Sequence, residues 1–365
     1  MDKLQNRATV SRMLASGGKS LLALLASLVV TGLLILACGY NPFEVFSSLF
    51  VVSFSSKSNI ALVLSQSMPL IFAGLSFVVG IKVGLINVGI EGQMIAGAMC
   101  SALVGAYCTF LPGPLLWIAT LGAGMVGGGL AFLLCTYLKT RFDASEVITC
   151  IMMNNILAKI ADYLCNGPLK PQGVSLGQTI GISKAAYMTQ LIPKTKLTWS
   201  FPIAIVCCVL VYILLQKTTM GYKMRVTGNN KVAGSVGGIR TKRIYFLAAF
   251  LSGIFAGMGG AGLVMGIYHR YMDAMTANIG FVGISVAALA AYSPLAVPFS
   301  GMVFGMLNAA STTLSRTTNV PLEVMDIIQG LVVVFVSAPQ IVTSIKDWRI
   351  FNPVKKAVAR RKESV

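Results

Sequence analysis

Ser20 to Gly39 runs for about 20 residues without a charge, the length a helix needs to cross the hydrocarbon core of a bilayer. Predominantly apolar runs recur at Ile60–Ile81, Val88–Phe110, Pro114–Leu138, Ala144–Leu164, Leu197–Gln216 and Ile244–Ile267. A shorter one follows at Ile279–Tyr292, then Leu295–Leu314 and Leu322–Ser344. Only 11% of the chain is charged, against about 25% in soluble domains, so these runs cannot all be buried helices of a soluble enzyme. The expected fold is an all-α polytopic membrane protein of about ten transmembrane helices, some broken or re-entrant. Gly/Pro breaks are expected at Met68-Pro69, Gly84 to Gly92, Leu111 to Pro114 and Ser293-Pro294. The alternating pattern of a transmembrane barrel is absent.

Charge orients the passes. Residues 1–19 form a basic tail (Lys3, Arg7, Arg12, Lys19), and the run after them is too long for a signal-peptide core, so it reads as an uncleaved first span. With that tail inside, the inner segments also hold Lys82, Lys139, Arg141, seven cations between Lys217 and Arg243, and seven in the basic tail 346–365. The positive-inside rule then places both termini in the cytoplasm. Residues 20–345 are expected to form the transmembrane domain, with an extracytoplasmic loop at 165–196 and a cytoplasmic loop at 217–243 that carries no acid. The net charge of +18 is accounted for by insertion and anionic lipid, with no nucleic acid required.

Catalysis finds little support. The single histidine, His269, lies at the end of a span with only Asp273 near it in sequence, too few partners for a metal site or a serine triad. "GGKS" at 17–20 resembles the end of a phosphate loop, but position 13 is methionine where the loop needs glycine. Eight cysteines lie in or beside apolar runs without metal-ligand spacing and read as small apolar residues.

Polar residues inside the runs are the better lead, because each is costly in hydrocarbon and must face the bundle interior or a water-filled path. They are Gln66, Asn87, Glu91, Gln93, Glu146, Asn154, Asn155, Lys159, Asp162, Asn308, Glu323, Asp326 and Gln329. Asn87 and Glu91 would share a face of a continuous helix, but the glycines at 84, 89, 92 and 97 predict a break or a close approach. Amides such as Asn154 and Asn155 serve equally as glue between helices. Lys159 and Asp162 are spaced for an i,i+3 ion pair. The glycine-rich faces 122–130 and 252–262 read as close helix packing. Val88-Gly89-Ile90 and Val282-Gly283-Ile284 form a weak echo of the kind an inverted repeat produces, and chance explains three residues as well.

Four motifs then appear in order: "GLINVGIEGQ" (84–93), "EVITCIMMNNI" (146–156) with "GPLKPQG" (167–173), "GYKMRVTGNNKVAGSVGGI" (221–239), and "SGIFAGMGGA" (252–261) with "IGFVGISVAALAAYSPL" (279–295). Together, over residues 60–345, they resemble the permease subunit of bacterial ABC importers for nucleosides, a group within the ribose and branched-chain amino-acid permease superfamily. The resemblance implies a non-enzymatic subunit of the plasma membrane that carries no cofactor and translocates nucleosides inward by alternating access. It implies ATP hydrolysis by a separate cytoplasmic ATPase, a second permease chain in a heterodimer, and an extracytoplasmic substrate-binding lipoprotein. The substrate pathway is expected at Asn87, Glu91, Gln93, Asn154 and Asn155. ATPase coupling is expected at Gly221, Arg225, Gly228, Asn229, Ala233, Gly234, Gly237 and Gly238, with Asn229 or Asn230 as a helix cap. A ribose-type sugar permease is the near alternative, and an ion-coupled secondary transporter relying on Glu91 the more distant one.

Overall fold

The first helix, α1 (Lys57–Ile81), starts where the Ser56 hydroxyl accepts the Asn59 N–H at 3.1 Å, and it passes unbroken through Pro69. The expected break there does not occur. Proline removes one backbone donor, a loss that packed transmembrane helices tolerate, and 17 residues of α1 are buried against neighbours. This computed structural model describes residues 54–317 without a gap and, outside them, only positions 29, 32, 33, 36, 51 and 330. Two compact units divide the chain, Phe43–Met325 and a unit of its two ends, Met1–Pro42 with Asp326–Val365. The expected tail at 1–19, the span at 20–39, the last span with Glu323, Asp326 and Gln329, and the basic tail at 346–365 lie outside the described residues.

After α1 come α2 (Ile90–Tyr107), α3 (Gly113–Phe142) and α4 (Glu146–Asn166), then an irregular stretch with one 3₁₀ turn at Lys184–Ala186. α5 (Ser200–Lys217), two short helices, α6 (Thr219–Asn229) and α7 (Lys231–Val236), and α8 (Thr241–Leu263) follow. α8 ends in a π-helical turn, Val264–Tyr268, before α9 (Ile279–Leu289) and α10 (Val297–Thr317). Among the described residues there is no strand, only isolated bridges pairing Gln178 with Met272 and Gln190 with Thr198. Among the described residues, five segments, α1, α3, α4, α5 and Thr241–Tyr268, are long and apolar enough to cross a membrane. α9 has 11 residues, about 16 Å of helix, roughly half the thickness of a bilayer core.

The helices meet through glycine. α8 packs on α3, α1 and α2. A Cβ on Gly97 of α2 would sit 2.5 Å from the Gly257 Cα of α8, and one on Gly128 of α3 would sit 2.7 Å from that same atom. No side chain fits, so the three backbones touch and dispersion acts over the whole contact. The two glycine-rich faces are therefore packing faces. α9 and α10 lie along α1 in the same way, with Gly283 on Ala73 and Gly301 on Ile71. The Val88 and Val282 echo does not occupy equivalent places, since Val88 precedes α2 while Val282 lies inside α9.

The stretch from Gly167 to Trp199 folds over one end of the bundle. Thr179 and Ile182 donate backbone N–H groups to the Tyr271 and His269 carbonyls at 3.0 and 2.9 Å, and Ser183 donates to Gly105 at 2.8 Å. α4 is the least covered of the long helices, and Ile148, Met152, Ile156, Ile160 and Tyr163 lie exposed along it.

Candidate functional site

The chain leaves helical geometry between Ile81 and Ile90. Gly84 turns it with a φ of +82°, a left-handed value that costs glycine nothing. The eight residues Lys82 to Gly89 carry Asn87 into the bundle. Its carboxamide is fully buried and fully used. Nδ2 donates to Gln93 Oε1 at 3.0 Å and to Ser252 Oγ at 2.9 Å; Oδ1 accepts from Gln93 Nε2 at 2.7 Å and from the Gly89 N–H at 3.1 Å. Ser252 in turn donates to the Ser76 carbonyl at 2.7 Å. Asn87 and Gln93 thus form a reciprocal amide pair joining α1, α2 and α8. Because the helix is interrupted, Asn87 does not share a helical face with Glu91.

Glu91 stands in the first turn of α2 and accepts the Gly280 N–H at the start of α9, 2.7 Å away. The Thr276 hydroxyl and the Asn278 N–H also hydrogen-bond to its carboxyl. Two helix N-termini converge on one acid, a placement favoured by both macrodipoles. The fit is close, because a Cβ on Gly280 would come 2.6 Å from the Glu91 Cα.

Beside Glu91 opens a cavity of about 290 Å³, walled by α2, α4, the 269–278 connection and the start of α9. Of the residues expected from sequence, Glu91, Asn154 and Asn155 line it. Asn154 is pinned, its Oδ1 accepting the Gly92 N–H at 2.8 Å and its Nδ2 donating to the Val88 carbonyl at 3.0 Å. Asn155 donates to the Ile151 carbonyl at 3.0 Å, leaving its carbonyl oxygen free to accept. Tyr271, Asp273, Thr276, Asn278 and Phe281 supply the opposite wall. Burial pushes the Tyr271 phenol well above its usual range, with Cys165 and Asp273 adding to the shift, so it stays a neutral donor. Sequence reading missed this wall because the polar run "HRYMDAMTAN" (269–278) looks like an ordinary connection. His269, Ala274 and Asn278 all adopt positive φ there, and only the folded chain brings the run back against α2.

Two other expected groups lie elsewhere. Lys159 and Asp162 are 3.9 Å apart on the open side of α4, exposed and not facing the cavity. Glu146 is partly buried, bridging Lys139 and accepting the Ile86 N–H at 3.1 Å at the mouth of the broken segment.

The expected coupling loop is two helices. Gly221 lies on the Leu214–Leu215 backbone, and Arg225 Nη1 donates to the Leu215 carbonyl and to Gln216 Oε1 (2.8 Å), a cation at the C-terminal end of α5. Gly228 abuts the backbone of Lys82 and Val83, so α6 rests on the start of the broken segment. Burial, with Arg225 beside it, holds the Lys82 ammonium below its usual range. Asn229 ends α6, and it is Asn230 that caps α7, its Oδ1 accepting the Val232 and Ala233 N–H groups at 3.0 Å each. α7 stops in a Schellman motif, with Ile239 N–H to Gly234 O, Gly238 N–H to Ser235 O, and Gly238 at φ +78°. Gly234 faces inward against Val226 and Thr227. The outward face instead carries Ala233, Gly237, Val232 (70% exposed) and Val236 (84% exposed).

A profile of the family described as "Branched-chain amino acid transport system / permease component" matches residues 59–337. The chain is 28% identical to the glucose ABC transporter permease protein TsgB13 of Haloferax volcanii, over 91% of this chain and 90% of that one. It is also 28% identical to the nucleoside ABC transporter permease protein NupB of Lactococcus lactis, over 88% and 91% of the two chains. The guanosine ABC transporter permease protein NupP of Bacillus subtilis is again 28% identical, over 87% and 92%.

Proposed function

The chain belongs to the branched-chain amino-acid transport system permease family, membrane-embedded transport components rather than enzymes, and on that premise we propose that it translocates nucleosides into the cytoplasm. It does so as one of two permease subunits, by alternating access, driven by a separate ABC ATPase and supplied by an extracytoplasmic binding lipoprotein. The chain sits in the bacterial plasma membrane with its charged loops inside.

The observation that carries the proposal is the cavity beside Glu91. Its rim combines two carboxyls (Glu91, Asp273), amides (Asn155, Asn278), a hydroxyl (Thr276) and two aromatic rings (Tyr271, Phe281). That chemistry suits a neutral ligand with a flat apolar face and several hydroxyl and amide groups. It disfavours a phosphate, which would meet both acids. Asn154 within the wall, and Asn87 and Gln93 behind it, hold the broken segment in place. The exposed Val232–Val236 face of α7 is the ATPase contact, and Arg225, Gly221 and Gly228 seat α6 so that its motion reaches Lys82 to Gly84. Tyr245 of α8, with Lys231 of α7 5.7 Å from its ring centroid, adds a second contact between the inner helices and the bundle.

Reconstitution of the chain with its ATPase, second permease and binding protein tests this. Nucleoside should stimulate both ATP hydrolysis and uptake, whereas uptake by this chain alone under a proton or sodium gradient would refute the proposal. A sugar permease is the second reading, favoured by the relative in Haloferax volcanii named for glucose. Competition decides between them: if free ribose or glucose displaces labelled nucleoside at equal concentration, the sugar reading replaces the nucleoside one.

A further inference from the structure

Away from the transport cavity, a second cavity of about 460 Å³ opens where the C-terminal end of α3 meets the beginnings of α7 and α8. Its wall holds four cations, Lys139, Arg141, Lys231 and Lys242, against one acid, Asp143. Glu146 is taken up by Lys139. Lys139 and Lys231 both reach the same Tyr245 ring, their ammonium groups 5.8 and 5.7 Å from its centroid. Arg141 and Lys242 are exposed, and no ion pair engages them among the described residues. Like charges gathered around one ring repel one another, so the site gains from an anion with several acceptor oxygens that can bridge them.

The surroundings identify the anion. Leu130, Leu134 and Tyr137 lie exposed along one side of α3, the helix whose end forms the pocket wall. Tyr137 stacks edge-on with Phe142 at a centroid distance of 6.3 Å, and Phe142 lines the pocket. An apolar helix side therefore leads down to a basic hollow, the shape that takes acyl chains along the span and a phosphate at its foot. Basic pockets of this kind on the cytoplasmic side of membrane proteins hold anionic headgroups. We infer that the Lys139–Arg141–Lys231–Lys242 pocket binds the phosphate headgroup of an anionic phospholipid of the inner leaflet. The inner-leaflet assignment rests on the orientation proposed above; the binding itself does not. The bound lipid would neutralise the repulsion between α7 and α3 and so hold α7 at its place on the bundle.

The full-length chain, purified in detergent, can be titrated with phosphatidylglycerol or phosphatidylcholine and followed by native mass spectrometry. Phosphatidylglycerol should be retained at least tenfold more strongly. The Arg141→Gln/Lys242→Gln double variant should lose about 30-fold of that affinity, roughly fivefold per cation. The charge-keeping Arg141→Lys/Lys242→Arg variant, with the same gel-filtration profile, should retain it. Equal retention of the two lipids by the wild type overturns the inference, as does an unchanged preference in the double variant. Inorganic phosphate or glycerol phosphate binding as tightly as the lipid would make the ligand a free phosphate and overturn the lipid assignment. Loss of ATPase association in the double variant, without any lipid preference in the wild type, would give the pocket to acidic ATPase side chains instead. Neither nucleoside nor ATPase enters the lipid assay, so its failure leaves the transport proposal standing.

Discussion

Two segments of this chain share a vocabulary of glycine and asparagine and use it differently. In Lys82–Gly89, Asn87 is wholly buried and satisfied by side chains from α1, α2 and α8, with Ser252 lying 165 residues away in sequence. In Asn230–Gly238, Asn230 is exposed and its side chain accepts from backbone N–H groups two and three residues ahead. The first is held by tertiary packing and, if cut, loosens the bundle. The second is held locally and, if cut, unwinds six residues of α7 while the bundle stays intact. A segment held by tertiary packing and one held by local bonds can therefore loosen independently of each other.

Substitutions should separate the two. The largest effect is expected for Gly280→Val, whose side chain must enter the backbone of Glu91; overpacking of this kind costs about 3 kcal/mol, read as loss of folded yield or a large fall in Tm. Asn87→Leu strands the Gln93 amide and removes the donor to the Ser252 hydroxyl, and should cost about 2 kcal/mol across the whole bundle. Asn230→Ala removes a helix cap worth about 1 kcal/mol. It should leave the Tm nearly unchanged while amide exchange rises in α7 and ATPase association weakens. If Asn230→Ala lowered the Tm as far as Asn87→Leu, the contrast between the segments would be wrong.

The smallest effect is a pH dependence at the opposite end of the bundle. His269 stacks on Tyr187 with ring centroids 3.8 Å apart. Burial lowers its pKa from the ordinary 6.5, a Met265 carbonyl partly offsets this, and Arg270 lowers it further. The neutral ring is thus the form the fold prefers. Its stabilisation is complete above pH 6.5 and is lost as pH falls through the lower folded value. A His269→Phe variant should show a shallower loss of Tm between pH 7 and 5 than the wild type, and an identical slope would remove His269 as the cause.

What could be read in advance follows the same division. Among the described residues, the long apolar runs, the break after Ile81, the cap at 229–230 and the glycine faces all have local signatures, and each is found within a few residues of its expected place. Pro69 misled because the penalty for proline is a local rule that neighbouring helices override. The far wall of the cavity was invisible for the opposite reason. Glu91 and Gly280 are 189 residues apart, and no period or spacing in either segment points to the other. Even within "GLINVGIEGQ", sequence grouped Asn87, Glu91 and Gln93 together, whereas the backbone turn sends Glu91 to the cavity and the two amides to one another.

The proposed function places path and coupling apart in one non-enzymatic chain. It is tested most directly by measuring nucleoside uptake and ATPase association in parallel for Phe281→Ala, in the cavity wall, and Val236→Asp, on the exposed face of α7. Phe281→Ala should lose uptake and keep the ATPase, while Val236→Asp should lose the ATPase and with it all uptake. Wild-type uptake in the Val236→Asp variant, or loss of ATPase association in Phe281→Ala, would contradict it.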